Sequence, residues 1–230
     1  FSVVVNGDQI VENNETFLVN VTNVTGAGVT DAQGLGTINN DDSATLTLTG
    51  GGPMNEGLGG TGFFTFTATL SAAVQGGFQV PFTTGNGTAT PNVDYNDNDG
   101  TLTFTGNVGE TKTWTVFVNG DLTVELDETF EAALGALTGS SVVQLAAISK
   151  SGSPRTATLV NDDSAVISID GANYNQSEGI SPLPVLIRLS NPVDVSVSVN
   201  FSTFDGTATI ADNDYGSIQN QIVTFPPNST

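Results

Sequence analysis

Five blocks of this chain recur in the same order about 113 to 122 residues further on, and that self-similarity constrains the fold more than any other feature. Val5-Asn6-Gly7-Asp8, leading into Glu12-Asn13-Asn14-Glu15-Thr16-Phe17, returns as Val118-Asn119-Gly120-Asp121 leading into Glu125-Leu126-Asp127-Glu128-Thr129-Phe130, an offset of 113 residues. Asn40-Asp41-Asp42-Ser43-Ala44 returns as Asn161-Asp162-Asp163-Ser164-Ala165, and Asn55-Glu56-Gly57 as Ser177-Glu178-Gly179. Asn86-Gly87-Thr88-Ala89-Thr90 with Asp94-Tyr95 returns as Asp205-Gly206-Thr207-Ala208-Thr209 with Asp214-Tyr215. A period this long is too large for a solenoid coil and fits a complete sandwich domain. Residues 43–163 are therefore read as one complete repeat, residues 1–42 as the C-terminal part of the repeat before it, and residues 164–230 as the N-terminal part of the next.

Alternation within the complete repeat predicts seven strands: 45–49, 63–70, 78–84, 101–104, 113–118, 129–134 and 156–160. In the second of these, Phe64, Phe66, Ala68 and Leu70 share one face and Thr65, Thr67 and Thr69 the other, as a strand with one buried face requires. Trp114, Val116 and Val118 are expected to face the core in the same way, and the aromatic residues are read as packing rather than ligand contacts. The richness in Thr, Val, Phe and Gly and the scarcity of helix formers agree with an all-β chain of tandem, seven-stranded antiparallel β-sandwiches of immunoglobulin-like type.

Charge excludes one class of partner. Twenty-four acids face four bases, a formal net charge of −20, so nothing basic is present to follow a phosphate backbone and nucleic acid is not expected. Cysteine and histidine are both absent, which removes disulfides, thiolate and imidazole metal sites, and the nucleophile and base arrangements built on them. No stretch reaches the roughly 18 apolar residues of a membrane-spanning helix.

The acids collect at strand ends and in loops, at matching places in each repeat. In the complete repeat they are Glu56, Asp121, Glu125, Glu128, Asp162 and Asp163. A seven-stranded sandwich can bring these loops to one edge, where six carboxylates repel one another unless a cation sits between them. Only hard oxygen ligands remain in this chain, and calcium suits them better than magnesium, because it accepts six to eight oxygens in irregular geometry, main-chain carbonyls included. Turn chemistry alone explains Asp94, Asp97 and Asp99: an EF-hand reading fails because Asp99 stands at the required glycine and Thr105 at the required glutamate.

The combination of Glu-Gly after the first strand, Gly-Thr-Ala-Thr followed by Asp-Tyr, Gly-Asp with Glu-x-x-Glu-x-Phe, and a closing Asn-Asp-Asp resembles the Calx-beta module across essentially the whole chain. The resemblance implies a Ca2+ cluster at one end of the sandwich, held by Glu56, Asp121, Glu125, Glu128, Asp162 and Asp163 with a main-chain oxygen near Thr123. Asn86 stands where the family often has Asp. Asn161 stands at the first position of what can be an Asp triplet, and Gly120 where some members carry another acid, which implies fewer ions or weaker binding. The equivalent positions of the partial repeats are Asp8, Glu12, Glu15, Asp41 and Asp42 on one side, and Glu178 and Asp205 on the other.

The expected function is a non-enzymatic, calcium-binding structural or adhesive array of an extracellular or cell-surface protein, in which Ca2+ stiffens the junctions between repeats into an extended rod or filament. The alternative is a calcium sensor whose inter-repeat angle changes on binding. Expected partners are neighbouring repeats of the same chain or identical subunits joined head to tail, and other surface or matrix proteins or glycans. Phe225 aligns with Phe104 and Phe1 with Trp114, so the chain spans nearly two periods. It reads as a window of a longer array, the alternative being subunits in which residues 164–230 of one complete a sandwich with residues 1–42 of the next.

Overall fold

The computed structural model describes residues 1–85, 87–171 and 173–230. They form two compact units, one made of residues 1–54, 63–118 and 129–158, the other of the loops 55–62 and 119–128 together with residues 159–230.

In the first unit the chain opens with β1 (Ile10–Val11) and the antiparallel hairpin β2 (Glu15–Asn20) and β3 (Gln33–Ile38), Glu15 opposite Ile38. Then follow β4 (Ala44–Thr49), β5 (Gly52–Asn55), β6 (Thr61–Leu70), β7 (Ala73–Val74), β8 (Phe78–Gly85) and β9 (Gly100–Phe104). β10 (Thr111–Asn119), β11 (Glu128–Leu134), the one-turn helix α1 (Val142–Ala146), β12 (Ile148–Ser151) and β13 (Arg155–Val160) complete the repeat. The two larger sheets have the orders β10-β6-β4-β12 and β5-β13-β11-β8-β9, and β1-β7 and β2-β3 form two-stranded sheets.

Alternation decides which side chains enter the space between the sheets. Phe64, Phe66, Ala68 and Leu70 of β6 are buried, as are Val116 and Val118 of β10, Val80 and Phe82 of β8, and Phe130 and Ala132 of β11. Trp114 stacks on Phe66 at 5.4 Å and on Phe82 at 4.6 Å, so one side chain links the two layers. Each fully buried large apolar side chain contributes about 1.5–3 kcal/mol, which makes this face the principal source of stability. Phe63, on the outer face of β6, is exposed and meets Phe117 edge-on at 6.0 Å.

The seven strands read from alternation are all present, but the sandwich has more. β5, β7, β12 and α1 were not predicted. β12 pairs in parallel with β4, Ile148 opposite Ala44, where a sheet of purely antiparallel pairs was expected. Its residues Ser149, Lys150 and Ser151 are exposed, so no apolar alternation marks it. β5 begins on a glycine run; Gly50, at φ +113°, could carry no side chain because a Cβ there would meet the Thr65 carbonyl oxygen at 2.3 Å.

In the second unit β14 (Ile167–Ile169) pairs with β15 (Ile187–Leu189), and β16 (Val197–Phe201) with β17 (Gln221–Phe225), both antiparallel. Ile169, Leu183, Val185, Phe201 and Val223 line an apolar cleft of about 800 Å³. No helix among the described residues is long and apolar enough to cross a membrane.

Candidate metal centre

One asparagine ties together two of the segments that carry the acids of the complete repeat. Asn161, directly after β13, accepts a hydrogen bond from the Glu125 N–H on its Oδ1 (3.0 Å) and donates through Nδ2 to the Asp163 carbonyl (3.2 Å). Its own N–H donates to Asp127 Oδ1 at 3.1 Å. This clasp ties the 121–128 loop to the end of the last strand. Asp121 shapes the start of that loop, accepting the Thr123 N–H on Oδ1 at 2.6 Å.

The third contributor follows β5. Glu56 is held by its N–H, which donates to the Val160 carbonyl at 3.1 Å. Asp162 accepts the Gly57 N–H on Oδ1 (3.0 Å) and the Asn55 amide on Oδ2 (3.2 Å). Gly120 lets the 119–128 loop close on this segment: a Cβ there would meet the Gly57 oxygen at 1.9 Å and the Glu56 oxygen at 2.4 Å. The sequence suggests a position where an acid has been lost; the backbone contact leaves no space for any side chain.

Glu56, Asp162 and Asp163 each offer a carboxylate oxygen within 4.8 Å of the other two. Glu56 is 7% exposed and Asp163 9%, and Glu56 Oε1 and Asp163 Oδ2 are buried without a hydrogen-bond partner. Burial, reinforced by the charges of Glu125, Asp121, Asp163 and Asp162, pushes the Glu56 carboxyl up to about 7. Asp163 is raised as well, first by burial and then by Asp162 and Asp121. Glu125 and Glu128 also have carboxylate oxygens within 4.8 Å of each other. Thr123 is half-buried in the same loop.

Unpaired carboxylate oxygens held in a buried cluster are costly unless something positive meets them. Every ligand atom in this cluster is a carboxylate oxygen. That donor set fits a hard divalent cation of calcium type.

The same clasp recurs near the start of the chain. Asn40 Oδ1 accepts the Glu12 N–H (2.8 Å), Asn40 Nδ2 donates to the Asp42 carbonyl (3.0 Å), and the Asn40 N–H donates to Asn14 Oδ1 (2.9 Å). Asp8 accepts the Ile10 N–H at 2.8 Å, as Asp121 accepts that of Thr123. Asp8, Glu12, Glu15, Asp41 and Asp42 line a cleft of about 480 Å³. Glu12 is raised by partial burial and then by the charges of Asp8, Glu15 and Asp42.

The remaining sequence candidates behave differently. Asp205 accepts the Tyr215 hydroxyl at 2.6 Å and the Ile210 N–H at 3.1 Å, which makes it the organiser of its own loop and raises the Tyr215 phenol. Glu178 is exposed in the 170–186 segment. Asn86 lies outside the described residues. Asp94 accepts the Thr90 N–H at 2.6 Å. Sequence reasoning missed Asn40 and Asn161 as organisers, reading Asn161 as a substituted acid. Their recurrence with identical Asp-Asp-Ser-Ala flanks is the signal that marks them.

A family model for the Calx-beta domain matches residues 1–49, 57–163 and 160–230. No curated protein matches the chain. Among solved structures, the chain is similar to the apo-form Calx CBD1 domain at 19% identity, covering 53% of this chain and 100% of that one, with a TM-score of 0.44. It is also similar to CBD12 from CALX1.2 (19% identity, 80% of this chain and 73% of that chain, TM-score 0.40). A further likeness is to the Calx CBD2 domain (19% identity, 52% and 86%, TM-score 0.38).

Proposed function

The chain belongs to the Calx-beta domain family, and from that premise we propose that its acid clusters bind Ca2+ and that the repeats form a calcium-stiffened structural or adhesive array of an extracellular or cell-surface protein. One observation carries the calcium reading: Glu56 Oε1 and Asp163 Oδ2 are buried and unpartnered within a cluster that already contains Asp162, Asp121 and Glu125. A cation there supplies the missing partner for both oxygens at once. Glu56, Asp121, Glu125, Glu128, Asp162, Asp163 and a main-chain oxygen near Thr123 hold it in the complete repeat. Asp8, Glu12, Glu15, Asp41 and Asp42 hold its counterpart in the first partial repeat. The role is non-enzymatic, because the conspicuous chemistry of the cluster is that of ligation by oxygen.

The stiffening role is supported by the position of the acid loops in the chain: Asn40-Asp41-Asp42 runs directly into β4, and Asn161-Asp162-Asp163 into the next repeat, with no linker. A regulatory reading, in which binding changes the angle between repeats, draws on the same placement. Calorimetric titration of residues 1–230 with Ca2+, joined to small-angle scattering with and without chelator, separates the two. Saturable binding that raises the melting temperature and lengthens the particle supports the array. Binding with a change of shape but no lengthening supports the sensor, and no binding overturns the calcium reading.

A further inference from the structure

Threonine and serine cover the outer face of the sheet β10-β6-β4-β12. On β4, Thr45, Thr47 and Thr49 alternate with the buried Leu46 and Leu48; on β6, Thr65, Thr67 and Thr69 alternate with the buried Phe66, Ala68 and Leu70. Thr47 stands opposite Thr69, and Thr49 opposite Thr67. On the far side of β4, Ser149 stands opposite Thr45, their hydroxyls 3.0 Å apart, and Ser151 opposite Thr47. The Leu70 N–H bonded to the Glu110 carbonyl near one end of β6, and Phe63 against Phe117 near the other, place Thr67 and Thr65 beside Thr113 and Thr115 of β10. A continuous field of hydroxyls thus crosses four strands. Two aromatic rings border it, Phe63 at 54% exposure and Phe117 at 44%.

No charged side chain among the described residues interrupts this field. β4 and β6 hold none, and β10 and β12 hold one lysine each, both alternating with the hydroxyls. Lys112 pairs with Glu110 at 3.0 Å, and Lys150 Nζ donates to the Leu134 and Gly135 carbonyls at 2.9 Å and 2.8 Å. The chain as a whole carries 24 acids against four bases, and the other large sheet sets Glu131 on the outward side of β11, between the buried Phe130 and Ala132. Threonine by itself is an ordinary choice for a solvated strand face. Depletion of charge combined with exposed aromatic rings is instead the composition of a contact surface.

We propose that this face binds a neutral polysaccharide. Each hydroxyl is donor and acceptor at once, so a field of them matches a ligand that offers both, as sugar hydroxyls do. The Phe63 and Phe117 rings supply apolar area for the C–H side of a sugar ring. Charge decides against other occupants. A polyanion is repelled by a chain of net charge −20, and a polycation is drawn to the acid loops, away from a face without charge. A second copy of the chain brings the same net charge and the same hydroxyls, with little apolar area to bury. The face lies within the complete repeat, and its proposed role is independent of the calcium reading.

Affinity electrophoresis of residues 1–230 through gels containing a neutral glucan, mannan, galactan or xylan tests this, with heparin as the polyanion control and chelator present throughout. Relative to a gel without polymer, at least one neutral polymer is expected to retard the chain, and heparin is not. Thr67→Glu, which sets a charge in the middle of the field, is expected to abolish the retardation, and Phe117→Ser to weaken binding about tenfold. Thr103→Glu, on the outward side of β9 between the buried Leu102 and Phe104, is expected to leave it unchanged. Melting curves verify the fold of each variant; Phe117→Ser removes only an exposed ring and carries the test should Thr67→Glu fail to fold. Retardation by none of the neutral polymers, or retardation that survives Phe117→Ser and Thr67→Glu, overturns the proposal. Self-association of the unmodified chain that Thr67→Glu abolishes also overturns it, by making the face a contact between copies.

Discussion

The acid loop of residues 8–15 and that of residues 121–128 are closed by the same hydrogen bonds but end in different electrostatic environments. Both hang on an asparagine clasp, Asn40 in one and Asn161 in the other, with matching donors and acceptors. The first lines an open cleft walled by residues 5–15 and 37–42. The second also receives Glu56, which arrives on the loop after β5, is almost wholly buried, and carries an oxygen without a partner. The clasp sets loop shape; the glutamate from another strand end creates the unmet charge.

The largest expected effect follows from removing that charge. Glu56→Gln keeps the shape of the side chain but loses the carboxylate, and Ca2+ affinity at the complete-repeat cluster should fall about 100-fold, equivalent to about 2.7 kcal/mol. Calorimetric titration checks it, with the 8–42 cluster as the internal reference. Unchanged affinity would mean that Glu56 is not a ligand. Next come the glycines at the head of the two loops, Gly7 and Gly120. Gly120→Ala drives a Cβ into the Gly57 and Glu56 carbonyls and should cost about 2–3 kcal/mol in denaturant unfolding. Gly7→Ala meets nothing within 4 Å and should change stability by less than about 0.5 kcal/mol.

Much of this was legible in the sequence because period-2 alternation and the long repeat are strong signals. Phe64, Phe66, Trp114 and Phe130 read correctly as core, and of the six acids the sequence assigns to one edge, Glu56, Asp162 and Asp163 lie together. What stayed hidden depends on contacts between distant segments. β12 carries no alternation, and its parallel pairing with β4 is set by tertiary contact. Gly120 looks like a missing acid until the Glu56–Gly57 backbone is seen against it. Asn161 looks like a neutral substitute for aspartate until both ends of its amide are found bonded to main chain, a job for which a carboxylate lacks the donor.

The pH response should distinguish the clusters further. The Glu56 carboxyl sits at about 7 in the fold, against an ordinary value of 4.5, so the folded state holds its proton more tightly than the unfolded chain. Its contribution to calcium-free stability is therefore fully present below 4.5 and is lost as pH rises from 4.5 through about 7. With allowance for solvent screening, the loss is on the order of 2 kcal/mol. Melting temperatures of the calcium-free chain between pH 4 and 8 should fall accordingly, and Glu56→Gln should flatten the profile. With excess Ca2+ the trend should invert, because the ion displaces the proton and binds more tightly as pH approaches 7.

The smallest effect tests whether an acid in the loop serves as ligand or as clasp. Asp127 accepts the Asn161 N–H through Oδ1, and in the first loop the neutral Asn14 does the same for Asn40. A charge is thus unnecessary at this position. Asp127→Asn should keep the bond and leave stability within about 0.5 kcal/mol, whereas Asp127→Ala removes the acceptor and should cost about 1 kcal/mol. Thermal unfolding of the two variants reads the difference directly. If Asp127→Asn instead weakens Ca2+ binding as strongly as Glu56→Gln, Asp127 is part of the ion's own shell, and the asparagine clasp of the second loop has acquired a ligand that the first loop lacks.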